Sequence, residues 1–138
     1  MTTSQIKKKI HVVAGILIQN GKILATQRGY GEFKGGWEFP GGKVEPHETK
    51  EEALVRELKE ELKVDTSIQK FYEHIDYEYP SFLLSMDCFI GTIKNGELQL
   101  VEHEAAKWVL PAHLLSIDWL PADLPIAQKL AQDTLLFP

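Results

Sequence analysis

The chain of 138 residues has a single cysteine, Cys88, set in an apolar run. No disulfide framework is open to it, and a buried core thiol is expected. No apolar run approaches membrane length, and the start, MTTSQIKKK, lacks the apolar segment of a signal peptide. The expected compartment is therefore reducing and cytoplasmic, with no membrane partner. Positive charge is also short: 15 Lys and Arg stand against 20 Asp and Glu, a net of −5. That argues against a general nucleic-acid surface, which is basic. An acidic chain can still bind a polyphosphate if metal ions intervene. There is no internal repeat, low-complexity tract or linker, and the length suits one domain over 1–138. With 43% hydrophobic and 25% charged residues, the composition is that of a globular protein with a substantial core.

What is present is concentrated between Gly41 and Val64, GGKVEPHETKEEALVRELKEELKV. Two glycines open it and a carboxylate-rich helix follows. Thr49 and Glu52 have capping-box spacing, and good helix formers run on from there. At 100° per residue Leu54, Val55, Leu58 and Leu62 form one apolar stripe. Glu57, Glu60 and Glu61 fall together in a neighbouring arc, because positions three and four apart are neighbours on a helix. Like charges at that spacing repel by a few tenths of a kcal/mol per pair in water. Either solvent with Arg56 and Lys59 compensates, or a hard divalent cation that takes oxygen ligands does.

The spacing resembles the Nudix box: Gly, five residues, Glu, seven residues, Arg-Glu, an apolar residue, any residue, Glu-Glu, any residue, Gly, an apolar residue. Here Gly42, Glu48, Arg56, Glu57, Leu58, Glu60, Glu61 and Val64 occupy the demanded positions, and only Lys63 departs, standing where the pattern has Gly. A glycine there closes a helix in the left-handed region, where Lys costs roughly 1 kcal/mol. The resemblance implies an α/β (α+β) fold, a mixed β-sheet sandwiched between helices. It implies Mg2+ or Mn2+ held by Glu57, Glu60, Glu61 and the Gly41 carbonyl, with Glu102 joining from a loop or acting as base. Glu104 competes with Glu102 for that place. Arg56 positions Glu57 or its neighbours, Glu48 supports the loop and helix, and Glu61 or Glu102 takes the proton. Arg28 and Lys43 are implied contacts of substrate phosphate.

The flanks read as follows. Lys9 to Gln19 and Lys22 to Arg28 are strands joined by the hairpin signal Asn20-Gly21. Gly29 to Gly36 is a loop that fits no phosphate-cradle motif; it resembles the family's variable loop beside the substrate cleft, or is a plain mobile connection. Trp37 and Phe39 read as core. Ser67 to Tyr79 and Phe82 to Lys94 are two further strands; the first alternates poorly, which leaves its register open. His11, His74, His103 and His113 lack metal-ligand spacing and read as structural. The segment around Trp108 resembles the family's last strand. A short helical turn is expected over Pro111 to Ser116, then a helix from Ile126 to Leu136 with Leu130, Ala131 and Leu135 on its apolar face.

Asp123 lies just before that helix. It can cap it, with Pro125 in the first turn. It also stands where the MutT-type base pocket has an Asn. An ionised Asp only accepts hydrogen bonds, so it suits the amino group of cytosine or adenine and not guanine O6. The segment Leu-Pro-Ala-Asp-Leu-Pro looks like that of the cytidine-nucleotide pyrophosphohydrolases. The implied activity is metal-dependent hydrolysis of a nucleoside triphosphate, cytidine-type or modified, to monophosphate and pyrophosphate. An 8-oxo-dGTP diphosphatase is the alternative, and a non-catalytic nucleotide- or protein-binding module is the alternative from another class. The expected partner is a small nucleotide, with the chain a monomer or weak homodimer.

Overall fold

The computed structural model describes residues 7–138; most of the start read above for a leader lies outside the described residues. The elements in order are β1 (Lys8–Gln19), β2 (Lys22–Arg28), β3 (Trp37–Glu38), β4 (Gly41–Lys43), α1 (Lys50–Leu62), β5 (Asp65–Glu78), β6 (Phe82–Asn95), β7 (His103–Val109), a short 3-10 helix (Pro111–Ser116) and α2 (Leu124–Ala131). The sheet runs β3-β2-β1-β6-β5, with β4 beside β1 and β7 beside β2. β1 and β6 are parallel and the other pairings antiparallel, so the sheet is mixed, as expected.

β1 and β6 are buried on both faces, which their near-continuous apolar runs require. Val13 and Leu17 face α1 with Leu54, Leu58 and Leu62. Ala14 and Ile16 face the opposite layer, with Trp119, Ile126 and Leu130. Each fully buried Leu or Ile is worth about 1.5–3 kcal/mol, so the two apolar layers hold the helices on either side. Gly15 is small because α1 needs the space: a Cβ there would meet Leu58 Cδ1 at 3.3 Å. Trp37, Phe39 and Cys88 are core residues, as expected.

β1 changes partner along its length. It pairs with β2 only at Ile18↔Ile23 and Gln19↔Lys22, and with β4 at residues 12–14. The sheet therefore splits between β2 and β4, and the cavities described below open in that split.

Four local expectations change. Val55 is 38% exposed and the helix buries Ala53 in its stead, because the docked face centres on Leu54, Leu58 and Leu62. β5 begins at Asp65 and carries register shifts near Thr66, Ile68 and Phe71, which is why its alternation fails. α2 stops at Ala131, leaving Leu135 exposed, since Asp133 takes the backbone N–H groups of Leu135 and Leu136 in a turn. Asp123 holds the cap position without capping. The capping box at Thr49 and Glu52 is fully formed, and Lys63 keeps the left-handed closing geometry at φ 61.

Candidate active site

The inner face of α1, the glycine turn and the start of β7 enclose a cavity of about 370 Å³. Each wall is placed by a local cause. Gly41 and Gly42 let the β4 backbone lie close to its neighbours. A Cβ on Gly41 would sit 1.9 Å from the Val13 carbonyl, and one on Gly42 would sit 2.3 Å from the Glu57 carboxylate. The Glu57 carboxylate thus rests on bare backbone. At the far end of α1 the unpaired carbonyls of Glu61 and Leu62 accept from the Val101 and Gln99 N–H groups, at 3.2 and 2.9 Å. Those two bonds carry the loop before β7 over the helix end and bring Glu102 and His103 beside Glu61.

Arg56 organises the entrance. It donates to Glu48 through Nε and Nη2, to Glu57 through Nη1 at 2.9 Å, to Glu60 at 3.3 Å and to the Lys43 carbonyl at 3.0 Å. These bonds hold Glu48 down at about 2. Glu61 has no such partner. Burial pushes it up to about 7, with His103 opposing and Glu57, Glu102 and Glu38 adding repulsion. Burial likewise raises Glu57 above the usual range against the pull of Arg56.

The structure brings together Gly41, Lys43, Glu57, Glu61, Glu102 and Arg28. Glu60 is not among the lining residues; it is exposed at the rim on Arg56. Among the described residues no three His, Cys, Asp or Glu side chains close up into a set that could hold an ion unaided. Glu57, Glu61, Glu102 and the Gly41 backbone form an open oxygen-lined wall, the donor type that suits a hard divalent cation completed by waters and substrate oxygens. The close seat of Glu57 on Gly42, which any Cβ would fill, fits that use.

Past Arg28 and Glu38 the cavity continues into an apolar pocket lined by Phe33, Phe39, Tyr79, Phe82, Met86 and Leu120, with Asp123 in its wall. The Tyr79 hydroxyl accepts from the Ala122 N–H at 3.2 Å and fixes the segment that carries Asp123. Asp123 Oδ2 accepts from the Phe39 N–H at 3.0 Å, which is why it does not cap α2. Burial pushes Asp123 up to about 8, opposed by the Phe39 bond. That direction favours the acid form, which donates as well as accepts, in place of the ionised, accept-only carboxylate expected from the sequence.

Sequence reasoning missed Glu38, Tyr79 and Phe82 as cavity residues and reads His103 as structural; the loop over 29–36, likened to one beside the cleft, supplies Tyr30 and Phe33, which it did not single out. The aromatics have no motif, because a cavity wall assembled from separate strands leaves no spacing. His103 stood beside Glu102 in the sequence, and that adjacency was the available signal.

Comparison with known proteins bears on what this arrangement does. The chain is 38% identical over 122 residues to the CTP pyrophosphohydrolase of Escherichia coli strain K12, covering 88% of this chain and 90% of that one. It is 36% identical over 130 residues to an 8-oxo-dGTP diphosphatase of Haemophilus influenzae, covering 93% and 96%. The solution structure of the E. coli ORF135 protein superposes with a TM-score of 0.76 at 37% identity, over 88% of each chain. The crystal structure of the MutT protein from Methanosarcina mazei Go1 gives 0.83 at 24% identity, over 95% and 99%, which speaks for the fold. With the NUDIX domain family model matching residues 9–130, over the same sheet, glycine turn and carboxylate helix, the chain belongs to the Nudix hydrolase family.

Proposed function

We propose that this Nudix hydrolase cleaves a nucleoside triphosphate to the monophosphate and pyrophosphate, with Mg2+ as its cation and a cytidine or modified base preferred. Nudix hydrolases as a family use a divalent metal ion. The observation that carries the reading is the junction of two unlike cavities at Arg28 and Glu38: an acidic one with glycine walls, and an apolar one with Asp123. A triphosphate and a base are the two halves of one ligand that such a pair suits.

When bound, the cation supplies charge neutralisation and a more acidic water. Glu57, Glu61, Glu102 and the Gly41 carbonyl would hold it, with Glu60 at the rim as a further oxygen donor. Arg28 and Lys43 meet phosphate oxygens. Glu61, held at the cavity wall by a packed helix, would orient the attacking water and take its proton, and orientation is most of what phosphoryl transfer asks of a protein. The Asp123 acid donates to cytosine N3 while its carbonyl oxygen accepts from the exocyclic amine. The relation to a CTP pyrophosphohydrolase supports that base choice.

The 8-oxo-dGTP reading retains two points in its favour: Asp123 in its acid form can donate to a purine O6, and an 8-oxo-dGTP diphosphatase is 36% identical. A panel of NTPs, dNTPs, 5-substituted cytidine triphosphates and 8-oxo-dGTP with Mg2+, read as kcat/KM with product identification, decides. Cytidine triphosphates leading, with monophosphate and pyrophosphate formed, is the expected result. A lead by 8-oxo-dGTP overturns the base assignment, and no turnover of any compound overturns the hydrolase reading.

A further inference from the structure

Arg28, Glu38 and His103 come from three adjacent strands, and Glu61 from the last turn of α1, yet their polar ends form one row. Arg28 and His103 are cross-strand partners between β2 and β7, and Glu38 lies on β3 at the other side of β2. Arg28 donates to both Glu38 oxygens, through Nε at 3.3 Å and Nη2 at 3.0 Å. His103 Nε2 lies 3.6 Å from Glu38 Oε2 and 3.9 Å from Glu61 Oε2. Its side chain is 5% exposed, and Nδ1 is buried with no partner. A hydrogen on Nδ1 would be an orphan donor, so the ring's hydrogen belongs on Nε2, which faces both carboxylates across gaps longer than a hydrogen bond.

We propose that His103 is a positioning residue for Glu61: its Nε2–H, facing both Glu38 and Glu61, orients the Glu61 carboxylate by electrostatic attraction across a short gap, and Glu38, fastened by Arg28, draws the ring to that place. The row joins the phosphate-side arginine to the carboxylate that takes water's proton, so it deepens the reading given above and rests on it. His103 offers almost no surface to a nucleotide, so its influence falls on turnover rather than on binding. Glu38 differs, because it holds both Arg28 and His103.

The test separates a donor from a space filler. His103→Leu fills the volume without an N–H, and His103→Gln returns an N–H near the Nε2 position. Removing an outer polar partner of a site carboxylate lowers activity by roughly 10- to 100-fold. His103→Leu is expected to lose kcat on that scale with KM little changed, and His103→Gln to recover most of it. A Leu variant as active as the Gln variant, or an effect mainly on KM, overturns the proposal. Should His103→Leu fail to fold, Glu38→Gln serves: both kcat and KM should worsen, and an unchanged kcat is the contrary result. An independent readout is the 15N spectrum of the His103 imidazole without nucleotide or metal. The Nε2–H tautomer, shifting in Glu38→Gln, is expected; the Nδ1–H tautomer overturns the proposal even if the protein is an active hydrolase. An inactive wild type showing the expected tautomer would instead fault the hydrolase reading and leave the contact standing.

Discussion

Asp87 and Asp123 are the two buried aspartates among the described residues, 6% and 5% exposed, and the fold treats them in opposite ways. Asp87, on β6, accepts from Lys50 Nζ at 3.0 Å and lies 2.8 Å from His74 Nδ1. Burial alone would raise it, yet those partners hold it below the usual carboxylate range. Asp123 has one backbone N–H, and burial pushes it to about 8. Two glutamates repeat the contrast: Glu48, gripped by Arg56, falls to about 2, while Glu61 rises to about 7. Burial sets the penalty and partners decide whether it is offset. The compensated carboxylates tie helix α1 to the sheet and turn. Asp123 and Glu61, the uncompensated ones, line the cavities, where a cation, a water or a base would complete them; Glu38 lines both cavities as well but is held low by Arg28 and His103.

The largest effect expected from breaking this contrast is on turnover. Glu61→Gln should lower kcat by about 10²- to 10⁴-fold, the range for removing a general base, while the thermal midpoint holds or rises, since a strained charge is removed. A folded variant with near wild-type kcat would sink the role assigned to Glu61. Asp87→Ala should do the converse. It strips the acceptor from His74 and Lys50 and should cost about 1–2 kcal/mol of stability, the lower part of the range because Lys50 and His74 reach solvent. Urea unfolding checks that figure, and kcat per folded molecule should not move.

Asp123→Asn sharpens the comparison through pH. The folded-state value of about 8 exceeds the ordinary 3.8, so between them the folded wild type holds a proton that the unfolded chain has lost. Wild-type stability therefore falls as pH rises from about 4 to about 8, and the amide variant escapes that loss. Denaturation midpoints at pH 5 and pH 8 should diverge in favour of Asn at the higher pH; parallel midpoints would contradict it. The smallest effect is at Lys63. With φ 61 it occupies a conformation that favours glycine, and Lys63→Gly should stabilise by about 1 kcal/mol, read from the same unfolding curves.

Much of this was legible in the sequence where local physics acts alone. The capping box, the Asn20-Gly21 hairpin and the Glu57/Glu61 arc depend on neighbours a few residues away, and all three appear. Glu60 shares the arc on a helical wheel, but a wheel does not say where the cavity edge falls, and Arg56 draws Glu60 to the rim. The upward shift at Asp123 was not legible, because it depends on burial between the Phe39 backbone and the Tyr79-anchored turn, distant in sequence. His103 was misread for the same reason: Glu38 and Glu61 reach it from separate elements.

The most direct measurement is a pH titration of the Asp123 and Asp87 side-chain carboxyl carbons by 13C NMR, on the protein without nucleotide or metal, from about pH 5 to about pH 9. The Asp123 signal should shift with a midpoint near 8 while that of Asp87 stays flat. Two flat signals at the ionised position would mean that Asp123 is as well compensated as Asp87, and the division between carboxylates that hold the fold and carboxylates kept for the ligand would fail.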